Sequence, residues 1–109
     1  MNYEVQENCL TIFLPKELDH HNAEDIRKMA DRLIEKNHIK YVIFDFKNTN
    51  FMDSSGIGLV MGRFKLMQTI KGEIQIVNTP LYISKVMKIS GIEKLAKISN
   101  KGENYETVK

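Results

Sequence analysis

The sequence predicts an α/β fold, a mixed and largely parallel sheet packed with amphipathic helices. Three observations predict it. Strand-like and helix-like hydropathy patterns alternate along the chain, the arrangement that builds parallel sheets. Tyr41, Val42, Ile43, Phe44, Asp45 and Phe46 are apolar at nearly every position, as expected of a strand buried on both faces. Between the strand-like segments, apolar residues recur at helical spacing with polar residues separating them. At 109 residues the chain is read as a single domain, residues 1–109, because a second core would not fit.

The elements follow in order. Val5 and the alternating Leu10, Ile12 and Leu14 predict two short strands joined by a polar turn at Glu7 and Asn8. Pro15 ends the second strand, and residues 16–22 read as a polar loop. Asn22 has the chemistry of a helix N-cap, with Asp25 three residues on. Ala23, Ile26, Ala30, Leu33 and Ile34 then share one face of a helix reaching about Lys36. After the strand at 41–46, residues 47–53 read as a loop anchored by Phe51 and Met52. A second helix is predicted over 54–70, with Ile57, Val60, Met61, Phe64 and Met67 on its apolar face and Lys71 and Gly72 as its stop. Residues 73–77 form the next parallel strand. Thr79 as N-cap with Pro80 at the first helical position opens a third helix that ends at Gly91. A short strand over 96–98 and a weak terminal helix over 102–108 complete the reading.

Composition excludes several function classes. Hydrophobic residues at 42% and charged residues at 28% match globular proteins, which argues against disorder. The net charge is +2, and no basic stretch is dense enough for a nucleic-acid footprint. Cys9 is the sole cysteine, so neither an internal disulfide nor a cysteine-rich zinc site is expected. No apolar run approaches the roughly 20 residues needed to cross a bilayer. The first seven residues carry acids where a signal peptide would be apolar. A soluble cytoplasmic protein without a membrane span is therefore expected. In the absence of an evident exposed apolar stripe, it is expected to be monomeric when free.

Parallel strands end at one edge of their sheet, so the loops after residues 14, 46 and 77 should converge there. Ligand and partner sites in open α/β sheets tend to lie at that edge. Glu17, Asp19, His20 and His21 should accordingly meet Asp53, Ser54 and Ser55. The stretch Asp53, Ser54, Ser55, Gly56, Ile57, Gly58, Leu59, Val60, Met61, Gly62 runs from loop into helix. A serine there is most often a simple cap. Three glycines in one helix are harder to dismiss, since each costs about 0.8–1.0 kcal/mol relative to alanine. Gly58 and Gly62 share a face, which something is expected to approach closely.

Other chemistries fit less well. A dinucleotide fingerprint would need glycine where Met61 stands, and no Gly-Lys-Ser/Thr phosphate loop exists. A phosphate on Ser54 would lie at a helix start that tolerates anions, although Asp53 beside it is unfavourable, which suits a modification that changes binding. His20 and His21 with Glu17 and Asp19 resemble a metal cluster in composition. Adjacent histidines point apart, however, and solvated loop side chains are the plainer reading. Ser54, a histidine and Asp53 lack the Gly-x-Ser-x-Gly elbow of a hydrolase. His38 suggests nothing, Cys9 reads as a small half-buried strand residue, and the methionines fit helix cores. Neither a cofactor nor catalysis is called for.

Four stretches together resemble a known family: Glu17, Leu18, Asp19, His20, His21; Phe51, Met52, Asp53, Ser54, Ser55, Gly56; Gly62, Arg63, Phe64, Lys65; and Ile89, Ser90, Gly91, Ile92. In order and spacing they are similar to the STAS-domain anti-anti-sigma factors, with the sporulation branch nearest. The resemblance implies a STAS fold and a regulatory protein, not an enzyme. It implies an anti-sigma factor that is also a serine kinase as partner, bound by the unphosphorylated form so that the sigma factor is released. It implies phosphorylation on Ser54, with Ser55 the second choice, and reactivation by a PP2C-type phosphatase. Glu17 and Asp19 match acidic positions that face a basic residue of the partner. The docking surface implied comprises Glu17, Asp19, His20, Asp53, Ser55, Gly56, Gly58, Gly62 and Arg63. Alternatives are a STAS regulator of a stress sigma factor and a small nucleotide- or anion-binding module.

Overall fold

The computed structural model describes residues 2–100. In these residues the strands are β1 (Asn2–Gln6), β2 (Cys9–Phe13), β3 (Glu17–Leu18), β4 (Tyr41–Asp45), β5 (Phe51–Met52), β6 (Glu73–Thr79) and β7 (Lys97–Asn100). The helices are α1 (His20–Lys36), α2 (Ser54–Thr69) and α3 (Leu81–Ser90), followed by a short 3₁₀ turn at Ile92–Lys94. The main sheet has the order β1-β2-β4-β6-β7, and β3 pairs separately with β5. Only β1 is antiparallel; β2, β4, β6 and β7 run parallel. The mixed, largely parallel α/β architecture expected from the sequence is the one observed.

The sheet grows in one direction at each crossover. With right-handed connections this lays α1, α2 and α3 on the same face. Leu10 and Ile12 of β2, Val42 and Phe44 of β4, and Ile74 and Ile76 of β6 point into that layer. They meet Ile26, Ala30 and Ile34 of α1, Leu59, Val60 and Met67 of α2, and Ile83 and Met87 of α3. Each buried Val, Leu, Ile, Phe or Met side chain among them is worth about 1.5–3 kcal/mol relative to exposure. On the opposite face Cys9, Ile43 and Val77 form a separate buried cluster with Tyr41 packed against it, so Cys9 is buried, not half-buried.

The structure departs from the sequence reading at several boundaries. Helix α1 starts at His20 with Asp19 as its cap, not at Asn22. Both residue types cap helices well, and Asp19 is in extended backbone with its carboxylate turned back onto the first turn. The loop over 16–22 contains β3, because Glu17 and Leu18 pair with Phe51 and Met52 across the chain. Of the expected anchor, Met52 is buried and Phe51 is exposed. Strand β6 continues to Thr79, and Pro80 itself is the N-cap residue of α3, with no side-chain capping bond. Gly91 at φ 84° does end α3, in the left-handed region where glycine has no Cβ penalty.

In α2 the most buried positions are Gly56, Leu59, Val60, Arg63 and Met67. Ile57, Met61 and Phe64 are only partly buried. This helix contacts both β6 and α1, so its apolar surface is too broad for one stripe to declare the core side. On α3 the outward residues Leu81, Tyr82 and Ile89 are exposed. The helix expected over 102–108 lies outside the described residues.

Candidate functional site

The carboxyl ends of β2, β4 and β6 meet at one edge. Leu14 N–H donates to Asp45 O at 3.0 Å and Phe46 N–H to Val77 O at 3.0 Å. Asp45, buried in β4, accepts through Oδ1 from Lys47 N–H at 2.9 Å and Asn78 Nδ2 at 3.2 Å. Above this edge the β3–β5 pair ties the loops together. Asn50 N–H donates to Lys16 O at 2.8 Å, Asp53 N–H to Leu18 O at 3.3 Å, and the Thr49 hydroxyl to Pro15 O at 2.8 Å. These bonds draw Glu17 and Asp19 next to Asp53 and Ser54, as the parallel-sheet argument requires.

The two loops repeat one device. Each consists of a two-residue strand, an aspartate in extended backbone and then a helix. Asp19 Oδ1 accepts from Asn22 N–H at 2.9 Å, and Asp53 Oδ1 accepts from Ser55 N–H at 2.8 Å. Both carboxylates thus satisfy N–H groups that the first helical turn leaves without an intrahelical partner. Asp19 is therefore engaged as a cap in the free protein. Asn22 instead donates through Nδ2 to Glu17 O at 2.7 Å, which pins β3 to α1.

Ser54 is the first residue of α2 and its side chain is exposed. The two helix starts are linked at 3.4 Å between Ser55 Oγ and His20 Nδ1. His21 does not join them; its Nε2 lies 3.9 Å from Asp25 Oδ2 on the exposed side of α1. The His20 ring reaches Ser55, not Ser54, and Asp53 is bonded to the backbone, so no Ser–His–Asp relay runs through Ser54. Among the described residues no group of three His, Cys, Asp or Glu side chains is placed to hold a metal ion. Also among them, no helix is long and apolar enough to cross a membrane.

The glycines of α2 divide into two kinds. A Cβ on Gly56 would lie 2.7 Å from Met52 Sδ and 3.0 Å from Leu18 Cδ2, so this glycine admits β3 and β5 against the helix. Gly56 is buried and does not belong to an open surface. At Gly58 and Gly62 an added Cβ would meet nothing within 4 Å. The expected close neighbour is not part of this domain as described. Gly58 and Ser55 instead line a cleft of about 190 Å³ against His20 and Arg27 of α1.

Arg63 is also placed differently from the sequence expectation. Its side chain is buried, and Nε lies 2.9 Å from Asp31 Oδ1 of α1. Burial holds the guanidinium below its ordinary pKa, with Asp31 opposing that shift. Arg27 bonds Glu24, which raises the pKa of Arg27 and lowers that of Glu24, and its Nη1 is 3.6 Å from Asp31 Oδ2. Arg63 thus braces α2 on α1 instead of facing outward. Sequence reasoning missed this pair, and the signal available was a cation three residues from Val60 and four from Leu59 and Met67, inside an apolar stripe.

Comparison with known proteins supplies an independent line. The STAS domain family profile matches residues 1–104. An anti-sigma F factor antagonist of Paenibacillus polymyxa is 30% identical over 111 residues, spanning 98% of this chain and 95% of that protein. The solved structure of the anti-sigma factor antagonist SpoIIAA in its unphosphorylated form superposes with a TM-score of 0.76 at 28% identity, covering 96% of this chain and 88% of the other. The Bacillus cell fate determinant SpoIIAA in its phosphorylated form superposes with a TM-score of 0.75 at 32% identity, covering 92% and 91%.

Proposed function

The chain belongs to the STAS domain family, and on that premise we propose that it is an anti-sigma factor antagonist switched by phosphorylation of Ser54. Unphosphorylated, it binds an anti-sigma factor that doubles as a serine kinase, and the sporulation sigma factor held by that partner is released. Phosphorylated, it lets the partner go, and a PP2C-type phosphatase restores it. The protein acts in the cytoplasm, where kinase, ATP and sigma factor meet. The observation that carries this reading is the exposed Ser54 hydroxyl at the first residue of α2, directly after the capping Asp53 and beside the Glu17 loop.

The switch follows from charge and solvation. A phosphoserine brings about −1.5 to −2 charges and three strong acceptor oxygens. In the free protein it stands in water at the amide end of α2, where it is tolerated. In the complex it has to lose water beside Asp53 and Glu17, so like-charge repulsion adds to the cost of burying an unpaired charge. The fold survives phosphorylation and the complex does not. Docking contacts are assigned to Glu17, His20, Asp53, Ser55 and the open Gly58 and Gly62 face, with Asp19 contributing its charge from the cap position.

The test is incubation with the cognate kinase and ATP followed by intact-mass measurement. One added phosphate on wild type and none on Ser54→Ala is expected. A phosphate appearing equally on Ser54→Ala moves the acceptor to another residue, with Ser55 the first to examine.

A further inference from the structure

Two serines stand side by side at the start of α2, and their surroundings differ. Ser54 is exposed, whereas Ser55 is half-buried. Ser55 is held in two directions. Its N–H donates to Asp53 Oδ1 at 2.8 Å, which closes the cap, and its hydroxyl lies 3.4 Å from His20 Nδ1 at the start of α1. Ser55 also lines the cleft of about 190 Å³ beside Glu24 and Arg27 of α1. Successive residues of a helix point roughly 100° apart. With Ser55 turned onto α1, Ser54 is directed to a different side of α2.

The first turn of a helix is its least secured part, because its N–H groups have no intrahelical partner. Group transfer is sensitive to such looseness. The reacting atoms have to meet at about 3–3.5 Å, and a displacement of about 1 Å can cost on the order of a hundredfold in rate. Asp53 secures the turn from the loop before it, through Ser55 N–H and through Gly56 N–H, which donates to Asp53 O at 3.0 Å. The Ser55 hydroxyl secures it from the side, against the first residue of the neighbouring helix. At 3.4 Å this pair is long for a hydrogen bond, so its contribution is to orientation and not to stability.

We propose that Ser55 is the positioning residue of the switch and not a second acceptor: paired with His20, it sets the direction in which the Ser54 hydroxyl is offered to the kinase. The inference rests on the reading of the protein as an antagonist phosphorylated on Ser54, and it adds how that hydroxyl is selected and oriented. In the transfer, Ser54 Oγ forms a bond to the γ-phosphorus of ATP. The bond from that phosphorus to the bridging oxygen breaks, ADP leaves, and the hydroxyl proton passes to a base of the kinase. Ser55 touches none of the reacting atoms and acts through the backbone of the turn it holds. His20 and Ser55 thereby influence the rate of transfer in addition to docking.

The experiment is single-turnover phosphorylation of the full chain by excess cognate kinase with ATP, the phosphate being located by peptide mass spectrometry. Wild type, Ser55→Ala, His20→Ala, the double variant and Ser55→Thr are compared, with melting temperatures alongside. The phosphate is expected on Ser54 in all five. The rate at saturating kinase should fall about three- to tenfold in Ser55→Ala and in His20→Ala, the worth of one hydrogen bond. It should fall no further in the double variant, because both changes remove the same interaction. Ser55→Thr keeps the hydroxyl and should recover most of the rate, and the melting temperatures should stay together. If Ser55→Ala raises only the half-saturating kinase concentration and leaves the saturated rate intact, Ser55 is a docking contact alone and the proposal is overturned. Additive losses in the double variant, or phosphate on Ser55 of the wild type, overturn it as well. If wild type takes up no phosphate, the phosphorylation reading itself falls and takes the proposal with it.

Discussion

Asp19 and Asp53 do the same job one sheet position apart, and the chemistry of capping separates their charge from their shape. Asparagine caps a helix about as well as aspartate, whereas alanine loses about 0.5–2 kcal/mol. Asp19→Ala should therefore lower the denaturation midpoint measurably, and Asp19→Asn should leave it in place. Any loss of partner binding in Asp19→Asn then reports the carboxylate charge alone. Ser54 allows a parallel separation. Ser54→Ala should bind the anti-sigma factor and accept no phosphate, and Ser54→Asp should fold normally and bind poorly, both read by titration against the partner. The position of Ser54 at a helix start was legible from its neighbours Asp53 and Gly56. The exact cap of α1 was not, because Asp19 and Asn22 are both good caps and local sequence offers no way to choose between them. The choice is made by β5, a strand more than thirty residues away, through its pairing with β3.

At the scale of an element, α2 carries most of what was hard to read. Its helical period was evident, yet the side turned to the core was not, since sheet and α1 both cover it. The burial of Arg63 depends on Asp31, and nothing local to either residue names the other. Two consequences are measurable. Gly62→Ala adds a methyl into open space and should stabilise by about 0.8–1.0 kcal/mol through helix propensity, a rise of a few degrees in melting temperature. Gly56→Ala should do the opposite, because the new Cβ meets Met52 and Leu18. The second concerns the pair. Asp31→Ala strands a buried cation and should destabilise by about 1–3 kcal/mol, less than a fully buried pair would because Asp31 is partly exposed. Arg63→Met removes the charge with its burial cost and should be milder, as chemical denaturation of the two variants would show.

Across the whole molecule, the long parallel strands and helices were readable because their periods extend over several turns or residues. The two-residue strands β3 and β5 were not, since so short a segment has no period and exists only through its partner. Stability should follow the same division. Strand β4 has neighbours on both sides and is buried along nearly its whole length, while β1 is an exposed edge. Native-state hydrogen exchange should find the slowest amides in β4 and β6 and much faster ones in β1. Equal protection of β1 and β4 would contradict a core centred on the parallel strands.

The helices α1, α2 and α3 all begin at the same sheet edge and run the same way. In an antiparallel bundle the peptide dipoles of neighbouring helices cancel; here they add. Each amide end carries about half a positive charge, so the edge is electropositive before any side chain is counted. Asp19 and Asp53 answer two of these ends, and the third, capped by Pro80, has no such carboxylate. An added negative charge at Ser54 would gain about 0.3–1 kcal/mol from the exposed amide end of α2, against the repulsion of Asp53, which already answers that end. The two terms oppose each other, so the melting temperature of the isolated protein is expected to change little when Ser54 carries a phosphate.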